Sequence, residues 1–123
     1  MSEIRVTTIS NAAGTGPVTL TKQHAAKAWI NLNGSGTIAI RDSFNISSAA
    51  DDGTGQYTAN LSTNMSDANY AMSIGGQDGA GGAFIVGKSS GTYTASANQV
   101  CCRSGSSFFD TPFISVTFNG DLA

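Results

Sequence analysis

Charged side chains are scarce in this 123-residue chain: only 11% of the residues are Asp, Glu, Lys or Arg, and the formal net charge is −2. A nucleic-acid-binding domain usually concentrates cations to neutralise phosphates. The six cationic residues here are scattered, so the composition argues against nucleic acid as a partner. The chain also lacks a run of about eighteen apolar residues, which a membrane-spanning helix needs, and we expect no membrane insertion.

Side chains suited to catalysis or metal binding are also few. His24 is the only histidine, and Cys101 and Cys102 are the only cysteines. Their spacing predicts neither a nucleophilic His–Cys pair nor a zinc site. The two adjacent cysteines are interpreted as free thiols, because a bridge between neighbours is strained, and alternation would turn one of them inward. We therefore predict that the protein is not an enzyme and that it has no catalytic residue, metal or cofactor.

Proline and long straight-chain helix formers are rare, whereas Gly, Ser, Thr, Asn and Ala dominate. This composition favours strands and tight turns, because Ser, Thr and Asn compete with helical hydrogen bonding through their own side chains. The opening MSEIRVTTIS lacks the apolar segment of a signal peptide, so we expect synthesis in the cytoplasm.

The strongest alternation lies in Ala28–Ser48 and predicts two strands joined by a glycine-containing turn. In the second arm the even-numbered positions are apolar at Ile38, Ile40, Phe44 and Ile46. Asp42 interrupts this series. We expect a bulge or bend near Asp42 that turns its carboxylate outward, the alternative being a buried carboxylate with a partner.

Further alternating segments follow at Gln56–Thr63, Asn69–Ile74 and Phe113–Asn119. Short strands with turns about every eight to twelve residues are typical of antiparallel sandwiches and barrels. We therefore predict an all-β protein, a small antiparallel β-sandwich or jelly-roll-like domain of about 7–8 strands. This domain would span residues 22–123, and residues 1–21 would form an extended N-terminal arm.

Two stretches resemble a known family. Ile4–Thr21, IRVTTISNAAGTGPVTLT, resembles the start of many tailed-bacteriophage fibre and virion-attachment proteins, in which a short strand precedes a small-residue Asn-Ala-Ala-Gly-Thr-Gly segment. Lys27–Ser48, followed by Asp52–Asn60, is similar to a domain of fibre-like phage proteins. Together these stretches cover roughly half of the chain.

The resemblance implies a structural protein of a phage virion, made in the bacterial host cytoplasm and displayed on the particle as a short fibre that contributes to host-surface attachment. It also implies that the arm docks onto other virion proteins of the portal, tail or capsid, and that the β domain projects outward as a homotrimer. Because the chain contains no long repetitive shaft, a short fibre, head fibre or capsid-decorating protein fits better than a full-length tail fibre.

Two alternatives remain open at this point. A capsid decoration protein would stabilise the shell instead of contacting the host. A carbohydrate-binding β module would bind glycans as a monomer, with Trp29 and the tyrosines as aromatic platforms.

The residues predicted to make contacts fall into three groups. Those of the virion docking arm are Ile4, Val6, Ile9, Val18 and Leu20. Apolar residues that are out of phase with the strands or lie in loops are predicted at the subunit interface, because an exposed apolar patch favours burial. They are Trp29, Ile85, Phe108, Phe109 and Phe113. The exposed loop residues, which would face a partner such as a host-surface glycan, are Gln77, Asp78, Ser106 and Ser107.

Overall fold

The computed structural model describes Ala13 and residues 25–76, 84–87 and 93–123, with the backbone alone for 84–86. Within this part of the chain there is no helix, and hence none that could cross a membrane. The described backbone forms nine strands. They are β1 (Ala28–Asn33), β2 (Ala39–Phe44), β3 (Ile46–Gly53), β4 (Gln56–Leu61), β5 (Ala71–Gly76), β6 (Phe84–Gly87), β7 (Ala97–Ser104), β8 (Ser107–Phe108) and β9 (Ile114–Asn119).

The strands form two antiparallel sheets. The first sheet has the order β2-β1-β9-β5, and the second has the order β3-β4-β7-β6, with the two-residue β8 paired to β7. The inward side chains of both sheets share one apolar cluster. The protein is therefore a small all-β sandwich, and the predicted fold class is confirmed.

The core follows the alternation read from the sequence. Every second residue is buried along β1, β4 and β9. The aromatic side chains in this cluster are Tyr57 and Phe118, and its other large members include Ile30, Met65 and Ile114. Each fully buried aliphatic or aromatic side chain contributes about 1.5–3 kcal/mol relative to exposure, so these alternating faces are the main source of stability.

A β-bulge interrupts the pairing of β1 with β2. Asn31 lies opposite Asp42, but the next residue, Leu32, lies opposite Ile40, which leaves Arg41 as the extra residue. Asp42 is exposed. The bulge expected near Asp42 is thus confirmed, as is the outward turn of its carboxylate.

The bulge also changes which side chains share a face. A shift of one residue moves all following side chains to the other face of the sheet. Ile40 accordingly lies opposite the core residue Leu32, whereas Phe44 lies opposite Trp29 on the outer face. The prediction that Ile40 and Phe44 share a face is therefore wrong.

A second break follows at Asn45. The second strand of the hairpin predicted in Ala28–Ser48 is therefore two strands, which lie in different sheets. Asn45 has φ 56°, a left-handed conformation that asparagine tolerates better than most residues. Its Nδ2 donates to the carbonyl oxygens of Lys27 (3.1 Å) and Thr63 (3.0 Å), and its Oδ1 accepts from the Thr63 N–H (2.7 Å). These bonds stabilise the corner through which the chain passes from the first sheet to the second.

Candidate functional site

The environment of the two cysteines is that of buried structural residues. Both are free and fully buried, and only Cys102 belongs to the core cluster, whereas Cys101 lies opposite Gln56 on the other face of β7. Burial is the main cause that raises the pKa of the Cys102 thiol to about 11. A reactive cysteine needs the opposite, a lowered pKa and access to solvent. The prediction of free thiols is confirmed, but both thiols are buried, whereas alternation predicted only one of them inward.

The carboxylates of the described residues take part in turn and strand hydrogen bonds. Asp51 Oδ1 accepts from the Gly53 N–H at 3.0 Å within the turn after β3. Asp52 Oδ2 accepts from Thr58 Oγ1 (2.5 Å) and Gln99 Nε2 (2.9 Å) across the outer face of the second sheet. Over the described ranges, no three His, Cys, Asp or Glu side chains are close enough together to hold a metal ion.

The outer face of the first sheet carries an exposed aromatic group. Phe44 is 54% exposed and lies directly opposite Trp29, which is half-buried. We call these two residues the β2 edge patch. Phe113, 45% exposed, precedes β9 at the far end of the sheet, and polar Asp42 and Asn31 lie between it and the patch.

Arg41, the extra residue of the bulge, holds the far end of this sheet together. Its guanidinium lies 4.0 Å from the centre of the Phe113 ring, a cation–π contact. It also donates to Leu32 O (3.1 Å), Pro112 O and Asn33 Oδ1 (3.4 Å). The bulge therefore places a cation where it links β1 to the segment that leads into β9.

The remaining residues predicted at a subunit interface lie on other surfaces. Phe108 is half-buried in the β7–β8 hairpin, with the Arg103 guanidinium 5.2 Å from its ring centre. Phe109 is half-buried and packs against the core cluster. Ile85 lies in β6 opposite Cys102, and its side chain is outside the described part of the chain. The structure thus does not bring the four of these residues with described side chains, Trp29, Phe108, Phe109 and Phe113, together on one surface.

Sequence reasoning missed the exposure of Phe44. The alternation assigned Phe44 to an inward series, and only the misplaced Asp42 signalled that the parity changes. Because a bulge reverses the faces that follow it, that one signal was sufficient in principle to find the exposed position.

Two of the predicted loop residues are at the surface. Ser106 and Ser107 are exposed at the β7–β8 turn, next to Gly105 with φ 58°. The other predicted loop and arm residues lie outside the described residues. They are Ile4, Val6, Ile9, Val18, Leu20, Gln77 and Asp78.

The molecule thus presents a sandwich whose described surface offers aromatic and polar contacts, whereas both of its cysteine thiols are buried. Comparisons of this chain with protein-family models, curated protein sequences and solved structures each found no match.

Proposed function

We propose that this chain is a non-enzymatic structural protein of a tailed-bacteriophage virion, a short fibre that is displayed on the particle and contributes to host-surface attachment. The sequence resemblance of Ile4–Thr21 and Lys27–Ser48 supplies the virion context. The observation that carries the proposal is the exposed β2 edge patch, since a fibre is built by packing copies of one chain against each other.

The position of the patch favours contact between copies. β2 is six residues long and lies at the end of the first sheet, so among the described strands only β1 pairs with it. Unpaired sheet edges with apolar side chains are templates for association with another chain. Phe44 is 54% exposed on this strand and Ile40 is 39% exposed. A second copy seated on the outer face at this edge would cover Phe44, and a homotrimer is the state that the resemblance implies.

Light scattering on the purified full chain tests this self-association. The expected result is a trimer mass at micromolar concentration, and Phe44→Ser should shift it toward the monomer with little change in Tm. Tyr93→Ser is the matched control, because Tyr93 is also an exposed aromatic, at 42%, but lies away from β2. A monomer mass for the unaltered chain would contradict the proposed assembly.

Labelling of purified virions with a gold-conjugated antibody against residues 25–123 tests the location. Label at the tail or neck supports a fibre, label spread evenly over the shell supports a capsid decoration protein instead, and no label contradicts a virion role. Deletion of residues 1–21 should leave the sandwich folded but absent from particles. Loss of folding on this deletion would contradict the proposed division into arm and domain.

A further inference from the structure

A cleft opens between β5 and β6, on the side of the sandwich away from the Asn45 corner. Its volume is about 280 Å³. The described residues that line it are Tyr70, Met72, Ile74, Gly87 and Tyr93. The two tyrosine rings are nearly perpendicular, at 78°, with their centres 6.4 Å apart, and Tyr93 is 42% exposed. The cleft therefore offers an accessible aromatic surface with an apolar floor.

A second cleft adjoins the first and shares Tyr70 with it. Its volume is about 160 Å³, and the other residues that line it are Ser66, Asp67, Asn69, Gly120 and Asp121. Carboxylates, amides and hydroxyls are the side chains that exchange hydrogen bonds with a polyhydroxylated ligand. Among the described residues that line the two clefts, none is Lys or Arg. This makes a phosphate or sulfate ligand unfavourable and favours a neutral one.

A buried amide holds Tyr70 in place from behind. Asn98 is 2% exposed, and its Nδ2 donates to the Tyr70 hydroxyl oxygen at 3.0 Å and lies 3.1 Å from Met72 Sδ. The Tyr70 hydroxyl in turn donates to Thr94 O at 2.9 Å. Two residues of the cleft wall are thus fixed by one core side chain.

This arrangement costs stability. Asn98 Oδ1 is buried and has no hydrogen-bond partner among the described residues, and an unsatisfied buried group costs about 1–3 kcal/mol. A leucine of similar size would avoid that cost but could not hold the Tyr70 hydroxyl. A core position that carries an unsatisfied polar side chain, and uses it to orient a cleft residue, indicates a requirement other than stability.

We propose that Tyr70 and Tyr93 form the platform of a binding site for a neutral saccharide. The C–H face of a pyranose ring packs on an aromatic ring, and the Asp67 and Asn69 side chains in the adjoining cleft bond its hydroxyls. Asn98 acts as a positioning residue through Tyr70. This inference rests on the proposed function in naming a host-surface glycan as the ligand source, but the binding itself needs only the isolated chain.

Titration of the ¹⁵N-labelled full chain, followed by NMR, tests the site. The probes are methyl glucoside, methyl galactoside, methyl mannoside and N-acetylglucosamine, backed by a broad glycan array. The expected result is saturable binding of at least one neutral saccharide, with shifts centred on the amides of residues 70–74, 87 and 93. No saturable binding to any probe or array glycan would overturn the proposal, as would binding of choline in place of every sugar.

Variants locate the binding energy. Tyr93→Ala should weaken saccharide binding by about tenfold or more, whereas Tyr93→Phe should keep most of it because the ring remains. Asn98→Leu should weaken binding by about fivefold while Tm stays constant or rises, a combination that a purely structural role would not produce. Thr37→Ala, in an exposed loop after β1, is the control. Unchanged affinity in Tyr93→Ala would overturn the assignment.

The outcomes of this test and of the virion test are separate. Saccharide binding by a chain that is absent from virions would contradict the proposed function alone. A virion protein that binds no saccharide would contradict this inference alone.

Discussion

The two ends of the sandwich each contain a tyrosine that links the sheets, but only one of them is closed. Tyr57 is 2% exposed, and its hydroxyl lies 2.6 Å from Gly34 O and 2.8 Å from Asp110 Oδ1. Tyr70, beyond the opposite end of β9, is half-buried and borders two clefts. Burial is the leading cause that raises the pKa of both phenols.

Glycines bring the backbones together at the closed end. A Cβ on Gly34 would lie 2.5 Å from Tyr57 Cζ. Gly55 has φ +63°, its N–H donates to Asp110 Oδ1 at 2.7 Å, and a Cβ there would lie 2.5 Å from Phe109 O. Space for an added methyl group is absent at both positions, and the polar groups named here are paired. This end therefore acts as a lock between the sheets.

The open end differs in its space and in its hydrogen bonding. It has an accessible cleft, and the buried side-chain oxygen of Asn98 has no partner among the described residues. Neighbouring residues thus cover the Tyr57 ring, which links the two sheets, whereas the Tyr70 ring borders an open cleft and is the proposed binding surface. The following variants test that contrast, in order of decreasing expected effect.

The largest difference in stability between the two ends is expected when a glycine at each end gains a methyl group. Gly34→Ala should destabilise the fold by about 2–3 kcal/mol, because the Tyr57 ring is buried and cannot move away. Gly87→Ala should cost under about 1 kcal/mol. Its Cβ would meet the Tyr93 hydroxyl at 2.6 Å, but that side chain is partly exposed and can rotate. Urea denaturation measures both, and equal losses would remove the distinction between the ends.

At the closed end, removal of a single hydroxyl should lower the free energy of unfolding by less than an added methyl group does. The closed end should again lose more stability than the open end. Tyr57→Phe should cost about 1–2 kcal/mol, because it removes a buried donor that faces Gly34 O and Asp110. Tyr70→Phe should cost about 1 kcal/mol in unfolding, since Thr94 O can bond to water instead and the buried Asn98 Nδ2, which loses the Tyr70 oxygen, keeps Met72 Sδ as an acceptor. It should nevertheless weaken saccharide binding, which NMR titration measures. A larger stability loss for Tyr70→Phe would reverse the comparison.

The closed end should also respond to alkaline pH. Cys102 belongs to it, since its N–H donates to Gly55 O at 2.8 Å and its carbonyl accepts from the Phe109 N–H at 3.2 Å. Its folded pKa of about 11 lies above the usual 9.0, so the folded state holds the thiol proton more tightly. This stabilisation is complete below pH 9 and is lost as pH rises through the folded pKa.

The measurement is the free energy of unfolding from pH 7 to 10.5. It should stay level at first and then fall, and Cys102→Ala should reduce the slope above pH 9 whatever its effect at pH 7. An identical slope in the variant would show that other groups, such as Tyr57, account for the loss. The Cys102 thiol should also resist a thiol reagent at pH 8 until the chain unfolds.

Much of the fold was predictable because its pattern is local. The alternation in β1, β4 and β9 predicted their buried faces correctly, and Asp42 predicted the bulge. β3 was missed, because Ser48-Ala49-Ala50-Asp51-Asp52 does not alternate and its strand state comes from pairing with β4. The break at Asn45 was missed for a similar reason, since distant carbonyls stabilise its left-handed backbone.

The candidate sites were less predictable. The Trp29 side chain was expected on the face of β1 that Ile30 does not occupy, and it lies there. Its cross-strand neighbour Phe44, however, was assigned to the wrong face. The tyrosines were named only as a class of candidate platforms. Nothing in the sequence separated Tyr70 and Tyr93 from Tyr57, because all three occur in short segments of small polar residues.

The all-β class and the inward faces of the main strands could be predicted from the sequence, because each depends on neighbours along the chain. The packing of the two sheets determines that Tyr57 is buried at the closed end and that Tyr70 borders the two clefts. Tyr57 meets partners 23 and 53 residues away, at Gly34 and Asp110, and Tyr70 meets Asn98 28 residues away. Contacts over such separations depend on how the two sheets pack, which a period of two along one strand does not encode.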